Sequence, residues 1–180
     1  MRIAIKFAAI TTISLLTSTQ AFAQAATQDI NLTATVAKYC KIAGAANPAA
    51  LSKTVPINGT TNNVDTAAIP VTVTGIVCNT PADIVTSSQS GAVKGPANSN
   101  TAFQNLINYT AVAKLGTAAT STINTATIAT AAGVETGSTG STAAGYSGDL
   151  AVSITPAANT KPLVAGTYSD TLHITITPKP

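Results

Sequence analysis

The sequence lacks several of the residue types from which binding and catalytic sites are usually built. Its 180 residues include no tryptophan, one histidine and two cysteines, and charged residues make up only 8%. Nucleic-acid-binding proteins generally present a strongly basic field, and a formal net charge of +3 is too small to indicate one. The six carboxylates are scattered without the pairing that acid–base catalysis requires. We therefore predict neither an enzyme nor a nucleic-acid-binding protein, and we expect no catalytic residues, no cofactor and no metal site.

Alanine and threonine dominate what remains, with 34 and 32 residues of the 180. Alanine inflates the hydrophobic share of 45% although each alanine buries little area. Such a chain needs extended strand pairing and many small contacts rather than a few large aromatic ones. A core rarely divides below about 200 residues, so the length predicts one domain.

Residues 1–23 have the pattern of a signal peptide. Arg2 and Lys6 give a positively charged start, residues 7–16 form an apolar run, and Ala21-Phe22-Ala23 offers small residues at the cleavage positions. The apolar run is too short to anchor the chain across a bilayer about 30 Å thick. A buried N-terminal helix is the alternative interpretation. We expect an exported protein that is not a transmembrane protein and carries a net charge of 7 − 6 = +1 after cleavage.

The two cysteines, Cys40 and Cys78, are predicted to form a disulfide because an isolated pair in an oxidising compartment usually does so. Closing a loop of this length stabilises the fold by about 4 kcal/mol in the chain-entropy description. A metal site would need more ligands, and the single histidine, His173, is far away in sequence. His173 is expected to be solvated.

Segments in which Val, Ile and Thr alternate with period two predict strands. They lie at 29–37, 69–78, 82–87, 105–115, 150–154 and 168–177. Gly75 is expected to interrupt the second of these as a bulge. Short strands at this spacing predict an antiparallel β-sandwich. The stretch 117–148 is rich in Thr, Ala, Gly and Ser, and we expect a flexible surface hairpin in which Ile123 and Ile128 seed at most a short strand, followed by a loop over 133–148.

The two ends of the mature chain suggest an exchange of strands between subunits. The last strand alternates cleanly and nothing after it supplies the further strand that an immunoglobulin-like sandwich needs. The run 29–37 offers a spare strand near the N-terminus. An incomplete sandwich can bind such an extension from a neighbouring copy, which pairs with the open edge and buries alternate side chains. The alternative is that 29–37 pairs within its own chain.

Three segments resemble spore coat protein U-like pilins of the archaic chaperone–usher class. They are Thr33-Ala-Thr-Val36 before Cys40, Val71-Thr-Val-Thr74 before Cys78, and the ending 163–178 with its Ala-Gly-Thr-Tyr turn and Thr-rich strand. The resemblance implies an incomplete immunoglobulin-like antiparallel sandwich over 38–180, completed by the donor-strand extension 24–37 of a neighbouring subunit. It further implies a periplasmic chaperone and an outer-membrane usher as partners, and a surface fimbria that serves adhesion and biofilm formation.

In this interpretation each candidate residue has a structural role. The donor-strand side chains are Ile30, Leu32, Ala34 and Val36, the acceptor groove is lined by Leu172, Ile174 and Ile176, Gly166 permits a tight turn, and Tyr168 packs with its hydroxyl bonded to the backbone. For Tyr168 the alternative is an exposed residue that stacks on a sugar. For the whole protein the alternative is a monomeric secreted β-sandwich that binds a glycan or a coat component.

Overall fold

The structure, a computed structural model, describes residues 27–45, 48–127 and 134–180. The predicted signal peptide (1–23), the first three residues of the predicted donor extension and the expected strand seed Ile128 lie outside these ranges. The chain divides into two units between Thr35 and Val36. In the described part of the first unit, residues 27–35 form neither helix nor strand.

The second unit is all-β, and every strand pairing in it is antiparallel. Its described strands are β1 (Cys40–Lys41), β2 (Ile57–Asn58), β3 (Asn63–Val64), β4 (Ile69–Cys78), β5 (Ala82–Ser88), β6 (Val93–Lys94), β7 (Leu106–Ile107), β8 (Tyr109–Leu115), β9 (Ala119–Asn124), β10 (Glu135–Ser141), β11 (Tyr146–Pro156) and β12 (Leu172–Pro178). A single 3₁₀ turn, Thr125–Thr127, follows β9. No helix in the described ranges has the length and apolar character of a membrane span.

Two larger sheets enclose the main core. One has the strand order β1-β4-β11-β8-β9 and the other β10-β5-β12, while β2-β3 and β6-β7 form small two-stranded ribbons. Ile76, Leu115 and Leu150 from the five-stranded sheet pack with Ile84 from the three-stranded sheet, and all four are almost completely buried. Because one cluster draws side chains from both sheets, the arrangement is consistent with a β-sandwich.

The period-two segments after the N-terminal arm (the predicted donor extension, 24–37) form strands, but the single strand predicted over 105–115 divides at Asn108 into β7 and β8, which belong to different sheets. The break at Gly75 is confirmed: this glycine has φ +75°, and the β4–β11 register shifts between the Ile76↔Gly148 and Val73↔Leu150 pairs. The strand expected over 29–37 is absent, since none of the described strands includes residues 27–39. The last strand begins at Leu172 rather than 168, since the backbone of Ser169 pairs with Lys94 of β6 instead of with β5.

The expectation for 117–148 was right only in part: the short strand at Ile123 is present as β9, but the described residues 134–148 are mostly strand rather than the expected loop. This stretch forms β9, β10 and the start of β11, and so it contributes to both larger sheets. Strands β9 and β10 approach closely: the Ser121 hydroxyl donates to the Ser138 carbonyl at 2.6 Å, and the Thr122 amide donates to the Ser138 hydroxyl at 2.9 Å. Ser121 is fully buried. Hydroxyl and glycine contacts build this edge, and they leave little hydrophobic alternation for a sequence pattern to detect.

Gly137 and Gly140 of β10 make this approach possible, and their replacement is our first prediction. A Cβ at either position would collide with a carbonyl oxygen of β9, at Thr122 or Thr120. We expect Gly137→Ala and Gly140→Ala each to lower the free energy of unfolding by about 1–3 kcal/mol, as overpacking does. Urea unfolding measures this loss.

The matched control is Gly59→Ala, where a Cβ meets nothing within 4 Å. A loss at Gly59 as large as that at Gly137 would contradict the close packing of β9 and β10.

Candidate functional site

One margin of the two larger sheets is open. β12 pairs with β5 on one side, and no described strand pairs with its other side. β4 pairs with β11 along its length, but on the opposite side β1 covers only Val77 and Cys78, so residues 69–74 have no strand partner there within the described ranges. Unpaired strand edges present rows of free N–H and C=O groups that can accept another strand.

Apolar side chains line both strands of this margin. We define the open margin by six residues that are half-buried: Ile69, Val71, Val73, Leu172, Ile174 and Ile176. All but Ile69 pack against the main core cluster. The neighbouring inward residue Ile84 of β5 is 0% exposed, so the core is covered at its centre and incompletely covered along the margin. The sequence pattern predicted that Leu172, Ile174 and Ile176 face inward, and in the structure they line the β12 side of this margin.

β12 is held in place at its start by a carboxylate network. Asp170, two residues before the strand, accepts hydrogen bonds from the hydroxyls of Tyr109 and Ser88, both at 2.6 Å, and from the Ser90 amide at 2.9 Å. Burial of the phenol and its bond to Asp170 raise the pKa of Tyr109 well above its usual value. The network joins β12 to β5 and β8, and it fixes one wall of the open margin.

A second anchor holds the far end of β12. The Lys179 amide donates to the Pro81 carbonyl at 2.7 Å, and the Lys179 ammonium lies 3.0 Å from the Asp83 carboxylate. Asp83 also accepts a hydrogen bond from the Ser141 hydroxyl. The bond from Ser141, followed by the bond from Lys179, lowers the pKa of Asp83. Strands β10, β5 and β12 are therefore tied together across their outer face, while the free edge of β12 stays open.

The Asp170 network gives a second prediction. Asp170→Ala leaves the buried hydroxyls of Tyr109 and Ser88 without their acceptor, and we expect a loss of about 2–4 kcal/mol in the free energy of unfolding. The control is Asp149→Ala on β11, where an exposed carboxylate is removed and a change within about 0.5 kcal/mol is expected. Equal losses in the two variants in urea unfolding would refute the anchoring role of Asp170.

The Asp83 contacts give a third prediction, a dependence of stability on pH. Since folding lowers the pKa of Asp83 from 3.8, its stabilising contribution is fully present above that value and is lost as pH falls through the lower folded value. The melting temperature of the wild type should therefore exceed that of Asp83→Asn at pH values above 3.8, and the difference should shrink as the pH falls below that value. Thermal unfolding over this range tests it. A gap of constant size at every pH would rule out the proposed linkage.

The predicted donor residues lie on either side of the boundary between the two units. Ile30 and Leu32, in the first unit, are 78% and 90% exposed, and Val36, at the start of the second, is 80% exposed. Ala34 is also exposed. Exposed apolar side chains that alternate along one segment are typical of a surface that binds a partner.

The predicted disulfide between Cys40 and Cys78 is confirmed, with the two Cα atoms 4.1 Å apart. Cys40 and Cys78 are direct partners in the β1–β4 ladder, and Cys78 is 3% exposed. The bond therefore fixes the chain to β4 only four residues after the last predicted donor side chain, Val36.

Gly166 and Tyr168 lie in the turn before β12. Gly166 has φ +148°, and a Cβ there would collide with Pro96. The Tyr168 hydroxyl lies 3.0 Å from the Val164 carbonyl and 3.1 Å from the Gln104 carbonyl. The ring is half-buried, lies against Gly95 and packs on the cluster of Val64, Ile107 and Leu163, as expected for a packing role.

His173 is exposed on the outer face of β12. Across residues 27–45, 48–127 and 134–180, no three His, Cys, Asp or Glu side chains lie together as metal ligands.

A shallow pocket of about 430 Å³ lies at the β2–β3 ribbon. It is lined by Pro56, Ile57, Asn58, Thr61, Asn63, Val64 and Asp65. This lining includes no aromatic ring.

Sequence reasoning missed two side chains that organise the margin and its surroundings, Asp170 and Asn79. Asp170 was one of six scattered carboxylates, and its partners lie 61 to 82 residues away along the chain. Asn79 bonds the backbone of residues 37 and 39, which lie 42 and 40 residues away. Asn79 directly follows the predicted strand 69–78, whereas Asp170 lies within the predicted strand 168–177, so neither position carried a specific local signal.

The chain matches no protein-family model, no curated protein and no solved structure. The inferences below therefore depend on the residues and geometry of this chain and on the resemblance described above.

Proposed function

We propose that the mature chain is a structural subunit of an extracellular fibre and that its copies join by donor-strand exchange. The observation that carries the proposal is the open margin together with the exposed arm. One set of apolar side chains lines an incompletely covered core beside two unpaired edges. Another set, of matching alternation, is exposed near the N-terminus. A β-strand added between two edges satisfies backbone groups and fills the core at once.

The dimensions of the two parts agree. The run from Ile30 to Val36 has seven residues, and β12, Leu172–Pro178, also has seven. At about 3.3 Å per residue, each extends roughly 23 Å. Four donor side chains at alternate positions would meet three on each wall of the margin. Complete burial of each Ile, Leu or Val contributes about 1.5–3 kcal/mol, before any ladder hydrogen bonds.

The contact is heterologous, because the arm of one copy meets the margin of the next. Repetition of such a contact gives an open fibre unless its rotation closes a ring. In the proposed pathway the subunit is exported by its signal peptide, acquires the Cys40–Cys78 bond in an oxidising compartment, and is held by a periplasmic chaperone that covers the open margin. An outer-membrane usher then exchanges the chaperone for the arm of another subunit. The fibre serves adhesion and biofilm formation.

The fourth prediction tests the donor side chains. We expect the mature wild-type chain to form a ladder of multimers on a denaturing gel run without boiling, and Ile30→Asp/Leu32→Asp to abolish it by placing two charges in an apolar margin. The control, Asn31→Asp/Thr33→Asp, adds the same charge on the opposite face of the arm and should retain the ladder.

A companion experiment uses a synthetic peptide of residues 27–37 and the assembly-deficient Ile30→Asp/Leu32→Asp chain. Peptide at about 100 times its dissociation constant should stabilise the chain by about 2.7 kcal/mol. At about 2–4 °C per kcal/mol this is a rise of roughly 5–11 °C in melting temperature. A peptide carrying Leu32→Asp should have no effect. A wild-type chain that stays monomeric and gains nothing from the peptide would instead support a self-contained secreted sandwich.

A further inference from the structure

The root of the N-terminal arm is held by a side chain that replaces part of a strand. β4 ends at Cys78, and the backbone bends over residues 79 and 80. The Asn79 amide nitrogen of the backbone donates to the Tyr39 carbonyl at 3.2 Å. The Asn79 Oδ1 accepts from the Tyr39 amide at 2.8 Å, and the Asn79 Nδ2 donates to the Ala37 carbonyl at 2.8 Å. Three hydrogen bonds thus hold residues 37–39.

These bonds continue the β1–β4 register after the strand itself has ended. Lys41 pairs with Val77 and Cys40 with Cys78, so Tyr39 and Asn79 are the next pair in the same antiparallel series. In a regular ladder the Tyr39 amide would donate to a main-chain carbonyl, whereas here it donates to the Asn79 side chain. A side-chain amide carries an acceptor oxygen and a donor nitrogen, and Asn79 uses both.

We propose that Asn79 is a positioning residue for donor-strand exchange: it fixes residues 37–39, so that the arm up to Val36 is presented to a second copy of this chain from a defined root. The inference depends on the proposed function. Without the hydrogen bonds from Asn79, the segment that is free to move extends as far as the disulfide at Cys40. More backbone must then be ordered when the arm docks. Preorganisation of a binding segment favours association because less conformational freedom is lost at the moment of binding.

The substitutions Asn79→Ala and Asn79→Asp separate the contributions of the two side-chain hydrogen bonds, the one to the Tyr39 amide and the one to the Ala37 carbonyl. The alanine removes both side-chain bonds. The aspartate retains an acceptor for the Tyr39 amide but places a carboxylate oxygen against the Ala37 carbonyl. We expect both to slow assembly of the mature chain by about three- to tenfold, the size that corresponds to one or two net hydrogen bonds. Asn124→Ala on β9, at the opposite edge of the sheet, is the matched control and should assemble at the wild-type rate.

Binding of the arm peptide in trans distinguishes positioning from a general effect on the fold. Asn79→Ala is combined with Ile30→Asp/Leu32→Asp, and the affinity for the labelled 27–37 peptide is compared with that of the double variant alone. We expect equal affinities, because the open margin is unchanged and the free peptide has no root to position.

Each outcome decides the matter. Slower assembly of Asn79→Ala with unchanged peptide affinity supports the inference. Assembly at the wild-type rate, or a peptide affinity that falls in parallel with the assembly rate, overturns it and leaves the proposed function intact. A wild-type chain that forms no multimers overturns the proposed function, and the inference with it.

Discussion

The incomplete coverage of the core between β4 and β12 is the constraint on which the rest of the molecule depends. Backbone groups at a sheet edge can form hydrogen bonds with water at little cost. Exposure of the apolar side chains beside them to water is unfavourable. Unpaired backbone groups and incompletely covered apolar side chains occur here on the same two strands. Val71 and Val73 lie on the β4 side of the margin, and Leu172 and Ile174 lie on the β12 side. Whatever covers the margin must supply a backbone and side chains together, and a β-strand supplies both.

The composition explains why the chain does not close this margin with its own side chains. Its core is built largely from small residues, including Ala111, Ala113, Ser121 and Thr86, all fully buried. Small side chains allow the strands to approach closely, as Gly137 and Gly140 do against β9. They cannot cover the open margin, and a sequence without tryptophan and with only three phenylalanines has few side chains large enough to do so.

Sequence patterns predicted the parts of the fold in which one face of a strand is buried. The alternation in β4, β5 and β12, the bulge at Gly75 and the Cys40–Cys78 bond all have local signals, since each depends on residue type at a fixed spacing. Strand β10 has no such signal because glycine and hydroxyl contacts, rather than apolar alternation, hold it to its neighbours. The anchors at Asp170 and Asn79 depend on partners 40 or more residues distant, and only the folded chain brings them together.

The alternation of apolar and polar residues in the N-terminal arm also limits non-specific association of this exposed segment. A strand made of a continuous apolar run would expose two apolar faces to neighbouring chains, and its pairing would have no defined register. In residues 30–36, Asn31, Thr33 and Thr35 separate the apolar side chains, so the segment has one face for a core and one for water. A shift by one residue in any pairing would place these polar side chains in the apolar margin. In the proposed assembly the alternation therefore excludes registers shifted by an odd number of residues, and the attachment of the arm at Cys40 and Asn79 selects among the registers that remain.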